Sequence, residues 1–388
     1  MLADRISYEN KIKSFFNENA FLLALFLITA MYALRFSLLA NLQYAEYLFT
    51  VMRIMSYTLI SIKFIIDVLN HKYSFKEFII ISILGIYLIY VSYNSRTINY
   101  LVYYIYVIVG KNVNYTKILK TTFTAIALSI MVVLILFHAG IIDEVVSIQN
   151  NGERVRHSCG FVFASYLSTY CFYATLYCIY YKNKNIKFFE LIILAFISIY
   201  IFCMTNTKSA FAFSILAIIT TILVKYIKFF NHYNKISKMV LYFFSTFSPI
   251  SILLLSMFYD GKNTALSTIN RVLSGRLSLA HIAINKYGIK AFGQFIKFNA
   301  APLPGEVYEV VDSSYILYIL ILGSIFFILL IALLIYMAYL IDKKKDVYLA
   351  YIFIILIIHS MFDPQLLQMS HSAFFYVLSY KNVILNNE

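Results

Sequence analysis

Apolar runs long enough to cross a bilayer recur along this chain from Ala20 to Tyr380, and the lysines between them crowd into every second link. About 20 apolar residues in helical form span about 30 Å of hydrocarbon, where every backbone polar group must be paired inside the chain. The runs predict about twelve helices, at 20–39, 46–69, 77–93, 97–110, 117–138, 160–181, 187–204, 208–230, 237–259, 311–341, 347–362 and 364–380. The expected fold class is an all-α polytopic integral membrane protein. With 62% hydrophobic and only 13% charged residues, a soluble domain of 388 residues is excluded.

One set of links holds Lys72 and Lys76; Lys111, Lys117 and Lys120; Lys182, Lys184 and Lys187; Lys225, Lys228, Lys235 and Lys238; and Lys343, Lys344 and Lys345. The alternate short links hold only Arg96 and Lys208. The positive-inside rule then puts both termini and the lysine-rich links in the cytoplasm. The expected organisation is a cytoplasmic tail (1–19), helices one to nine (20–259) with an outer loop at 139–159, and a large outer loop (260–310). Helices ten to twelve (311–380) and a cytoplasmic tail (381–388) complete it. The net charge of +14 fits residues beside an anionic leaflet, and no nucleic acid is expected as a partner. Residues 1–19 lack a small-residue cleavage site and read as a tail, not a signal peptide. The four cysteines form no CxxC pair, so neither a zinc site nor a disulfide framework is indicated.

Two outer loops run against the charge rule. Arg154 and Arg156 lie in the first; Lys262, Arg271, Arg276, Lys286, Lys290 and Lys297 lie in the second. Binding an anion is the simplest reason for cations there. The second loop predicts one interfacial helix over 267–287, stopped at Gly288, and then a break at Ala300-Ala301-Pro302-Leu303-Pro304-Gly305.

Several residues are candidates for chemistry. In an extended chain Arg154 and Arg156 point the same way, and two guanidinium forks suit a diphosphate; a solvated loop with Arg156 snorkelling is the alternative. Arg276 sits near the start of the interfacial helix, where free N–H groups favour anions. His281 is a candidate base, but five residues of helix turn it about 140° from Arg276, and a surface histidine is the competing reading. Lys208, in Thr205-Asn206-Thr207-Lys208-Ser209, can reach across the bundle mouth, or that link is only a helix start capped by Thr207 or Asn206. Asp312, in Asp312-Ser313-Ser314-Tyr315, can accept a proton, pair with an arginine, or simply cap a helix. Arg35 and Arg53 lie inside apolar runs, as cavity residues, or else snorkelling or pairing with Glu46. There is no DxD pair, Walker A, HExxH or GxSxG sequence, which argues against an ATP-driven pump, a metalloprotease and an enzyme of cytoplasmic sugar nucleotides.

Four stretches resemble the Wzy-type polysaccharide polymerases within the O-antigen polymerase and ligase superfamily. They are Arg154-Val155-Arg156-His157-Ser158-Cys159-Gly160-Phe161; Thr205-Asn206-Thr207-Lys208-Ser209; Leu273-Ser274-Gly275-Arg276-Leu277 through Tyr287-Gly288-Ile289 to Phe292-Gly293; and Asp312-Ser313-Ser314-Tyr315 followed by Gly323. Many relatives carry His-Pro-Asn where this chain has Phe163-Ala164-Ser165, and Ser-Arg where it has Lys208-Ser209, so no role of that histidine is carried over.

The resemblance implies a GT-C-like fold and a metal-independent glycosyltransferase without a cofactor, in a bacterial cytoplasmic membrane. Its donor and acceptor would be undecaprenyl-diphosphate-linked oligosaccharides on the outer face, built into capsule, exopolysaccharide or O-antigen. A flippase and a chain-length regulator would be its pathway partners. Arg156, Arg276, His281 and Asp312 would be catalytic; Arg154, Lys208, Arg271 and Tyr315 would bind diphosphate or glycan. For the base, His281, Glu306, Glu309 and Asp312 stay open. An O-antigen ligase-like enzyme, or a flippase or other transporter, are the alternatives.

Overall fold

A computed structural model describes residues 2–149, 154–227, 231–299 and 309–378, with side chains from residue 18 onward and not at 149. It is a helical, polytopic membrane protein. Among the described residues, eight helices are long and apolar enough to cross a bilayer: α1 (Leu2–Arg35, apolar from Glu18), α2 (Ala45–Leu69), α3 (Phe75–Ser95), α5 (Tyr115–His138), α7 (Phe188–Thr205), α8 (Lys208–Tyr226), α9 (Lys235–Met257) and α13 (Ser324–Lys344). Between them lie the shorter apolar α4 (Asn99–Val109) and α14 (Val347–His359), and α6 (Ala164–Lys182), which has membrane length but is rich in tyrosine and small polar residues. The remaining helices are α10 (Thr264–Val272), α11 (Arg276–Tyr287) and α12 (Ser314–Ile321). A two-stranded antiparallel hairpin, β1 (Val146–Gln149) and β2 (Arg154–His157), was not expected of an all-α chain.

The chain divides into two compact units. The first holds Met1–Ile79, Ile105–Tyr226 and Met369–Glu388; the second holds Ile80–Tyr104 and Ile227–Gln368. In the first, α1 packs on α2 and α5, and α6 is buried against α5, α7 and α8. In the second, α9 packs on α13 and α14.

Four expectations are corrected. The first helix begins at Leu2, so the polar residues of the expected tail continue it. The single span expected at 311–341 is broken at Leu322-Gly323 into α12 and α13. Gly323 has a φ of 94°, and the carbonyls of Lys290 and Ala291 accept from the N–H groups of Ser324 and Ile325, capping α13 from outside. The interfacial helix expected over 267–287 is two helices, parted where Ser274 and Gly275 take positive φ. Only α11 buries a face in protein, through Leu277, Ala280, Ala283 and Ile284.

The fourth correction concerns 364–380. Among its described residues there are turns and a 3-10 helix at Ala373–Leu378, not a membrane helix. Pro364 lacks an N–H, and the stretch that follows is nonetheless buried. Its backbone is paired by side chains instead, as buried backbone must be. In the second unit Leu366 N donates to Ser314 Oγ at 3.0 Å and Leu367 N to Tyr318 Oη at 2.7 Å. In the first, Ala373 N donates to Tyr177 Oη at 3.2 Å.

The arginines inside apolar runs have polar partners. Arg35 lies 3.3 Å from Glu46, and Arg53 reaches Thr50. A buried cluster escaped the sequence reading: Lys63 and Asp67, both inside α2, lie 2.5 Å apart, and Lys72 sits 2.6 Å from the other oxygen of Asp67. Lys63 also donates to Val109 O, at the C-terminal end of α4. The i, i+4 spacing of Lys63 and Asp67 was the available signal.

Candidate functional site

In the first unit, the hairpin meets the C-terminal end of α7 and the start of α8, and the turn that follows it meets the C-terminal end of α1. Val146 is paired with His157 and Gln149 with Arg154, which fixes the register. Strand alternation then points Arg154 and Arg156 to one face, as the extended reading required. Arg156 donates from Nε to Thr205 O at 3.2 Å and from Nη2 to Thr207 Oγ1 at 2.9 Å. Arg154 Nη2 donates to Asn206 O at 2.5 Å. Asn206 ends α7 in the left-handed conformation, at φ 48°, and so is a C-cap, not an N-cap.

These arginines thus grip the carbonyl end of α7, the negative end of its dipole. Lys208 is exposed at the first position of α8. A lysine at the positive end of a helix dipole is unfavourable by itself. Two guanidiniums and an ammonium around one helix start therefore build a field suited to an anion.

The turn beyond Arg156 is tight. Gly160 has a φ of 85°, and a Cβ there would lie 2.9 Å from Ile142 Cδ1. Leu38 N donates to Gly160 O, and Val162 N to Phe36 O, tying the turn to the end of α1. Burial, with the Glu144 charge adding, pushes the Cys159 thiol up to about 11, so it is not a thiolate nucleophile. His157 points to the other face of β2, with Nδ1 2.9 Å from Glu144 Oε1.

In the second unit, Arg276 is the first residue of α11, and its Nε lies 3.2 Å from Asp312 Oδ2. Both are partly exposed. Asp312 is not a helix cap: Ser313 holds that position before α12. His359 is buried at the end of α14. Neither His359 nor Asp363, whose carbonyl accepts from Ser314 Oγ at 2.6 Å, was singled out from sequence. The signal was a histidine and an aspartate closing an apolar run.

The other candidates are placed as follows. His281 Nδ1 lies 2.9 Å from Ser256 O, so it carries the proton, and Nε2 accepts from Asn285 Nδ2 at 2.8 Å. Nδ1 thus ties α11 to α9 and Nε2 is used within α11, and no bond joins His281 to Arg276 among the contacts described. Tyr315 is buried and donates to Ile357 O at 2.9 Å, a core post and not an exposed glycan contact. Arg271 is exposed in the last turn of α10. Glu309 is bonded to Lys286 and, at 2.6 Å, to Tyr287 Oη. The Lys286 ammonium first, and then the Tyr287 hydroxyl, hold its carboxyl below the usual range. Glu306 and the break at 300–305 lie outside the described residues.

Two glycines meet at the other end of α12. A Cβ on Gly293 would lie 2.2 Å from Ile321 O, and one on Gly323 would lie 2.4 Å from Ala291 O. Phe292-Gly293 and Gly323 are therefore two sides of one backbone crossing.

Fold and sites define a class: a helical, polytopic membrane protein with an arginine-bearing polar cluster in each of its two units. No protein-family model, curated protein or solved structure matches this chain.

Proposed function

We propose that this protein is a metal-independent glycosyltransferase of the polysaccharide polymerase type. It would join undecaprenyl-diphosphate-linked oligosaccharide repeat units on the outer face of a bacterial cytoplasmic membrane, with both termini in the cytoplasm. One observation carries the reading. The four stretches behind the resemblance pair two by two: Arg154 and Arg156 with Thr205-Asn206-Thr207, and Arg276 and Phe292-Gly293 with Asp312 and Gly323.

In the proposed reaction an acceptor hydroxyl attacks the anomeric carbon of the donor sugar. The new C–O bond forms as the bond to the diphosphate breaks, and the electron pair leaves on the diphosphate oxygen. Preorganised cations stabilise that charge without a metal. Arg154, Arg156 and Lys208 supply one such site and Arg276 another. A diphosphate competing for Arg276 would release Asp312, whose carboxylate is our choice to take the hydroxyl proton. A flippase would deliver the units and a chain-length regulator would limit them.

The broken helix of α12 and α13 favours a second reading, a flippase, because discontinuous helices mark transporter sites. Purified protein reconstituted with lipid-linked repeat units and EDTA decides between them. Glycan that lengthens supports the polymerase. Units that cross the bilayer unlengthened support the flippase, and transfer to a different final acceptor supports a ligase.

A further inference from the structure

The helix α10 buries none of its residues, yet its sequence is two-faced. At 100° per residue, Ala265, Leu266, Ile269, Val272 and the following Leu273 fall on one arc. Thr264, Ser267, Thr268 and Arg271 fall on the opposite arc, with no acidic residue in the helix. Val272 is 76% exposed and Ile269 39% exposed.

Its level relative to the bilayer follows from α9. That span ends at Met257, and the next residue, Phe258, is 71% exposed. Tyr259, two residues past the end, has its hydroxyl 3.1 Å from Asn270 Nδ2. Asn270 lies at the border of the polar arc of α10, so the helix is pinned within one tyrosine's length of the end of a membrane span. The same Asn270 accepts from Ser278 N at 3.1 Å, on the first turn of α11.

We propose that α10 is a bilayer-surface anchor, its apolar arc lying among phospholipid acyl chains just below the headgroups and its Thr268–Arg271 side toward water. Amphipathic helices of this pattern lie in the interface plane with their apolar face buried about 5–10 Å into the headgroup and acyl boundary. Through Asn270 the anchor would hold the start of α11, and Arg276 with it, at the level of lipid phosphates. The inference needs no catalytic role for Arg276.

The chain contains no tryptophan, so a single introduced one reports alone. Full-length Val272→Trp and Thr268→Trp proteins are placed in phosphatidylcholine–phosphatidylglycerol nanodiscs, with brominated lipid or acrylamide as quencher. We expect Val272→Trp to emit at shorter wavelength and be quenched by brominated lipid, and Thr268→Trp to be quenched by acrylamide. Ile269→Trp repeats the measurement should Val272→Trp fail to fold. Equal acrylamide quenching at both faces would overturn the anchor. So would protection from both quenchers with cross-linking between copies, which would mean that a second copy covers the face.

Discussion

Arg276 and Asp312, 36 residues apart, meet with Nε 3.2 Å from Oδ2 where α11 begins, just before α12. This contact joins two polar stretches that look unrelated in the chain. With side chains 25% and 34% exposed, the pair is open enough for an anionic ligand to compete. As a partly exposed pair it adds only about 1 kcal/mol to stability. A loss of activity on changing either residue should therefore be out of proportion to any loss of folding.

Arg156→Ala and Arg276→Ala are each expected to lower glycan lengthening by about 100-fold or more, the scale of losing one preorganised charge donor. Both variants should still insert. Lysine at either position should restore little, because it lacks the planar fork, which at Arg156 spans Thr205 O and Thr207 Oγ1. Chain length on gels is the readout, and normal-length polymer from both alanine variants would remove the arginines from the mechanism.

The proposed orientation predicts labelling. In a cysteine-free background, Asp143→Cys and Asn263→Cys should react with an impermeant thiol reagent in intact cells. Lys184→Cys should react only after permeabilisation. The reverse pattern would turn the protein over and take the lipid-linked substrates away from both sites.

Breaking the buried pair in α2 should be costly. Asp67→Ala leaves Lys63 without its carboxylate inside the membrane, at about 3–5 kcal/mol. Thermal unfolding in detergent should show this, with Lys63→Met and Asp67→Leu together recovering most of it. Equal destabilisation by the single and double changes would mean that packing, not charge, is what the pair supplies.

The glycine crossing predicts a contrast. Gly323→Ala puts a Cβ against backbone at Ala291 O in a positive-φ residue and should cost about 3 kcal/mol or more. Gly140→Ala, at φ 69° but with nothing within 4 Å, should cost about 1 kcal/mol. Midpoint temperatures of the two variants compare them directly.

The membrane class, most helix positions and the two cationic loops were legible from residue order, because helix length and hydrophobicity are local properties that hydrocarbon enforces. The strand Arg154–His157 was not expected, whereas the stop at Gly288 was legible because glycine readily takes the positive φ that ends a helix. Which oxygen each arginine holds was not, because Thr205, Asn206 and Asp312 are brought to them by packing. Nor was the break at Gly323, where carbonyls from 290 and 291 replace the helix's own turn. The residues after Pro364 show the limit most clearly. Their hydropathy suggested a helix, but Ser314, Tyr318 and Tyr177 pair the buried backbone instead. Only the folded chain brings those side chains within hydrogen-bonding distance, and that long-range pairing decides a conformation which local composition leaves open.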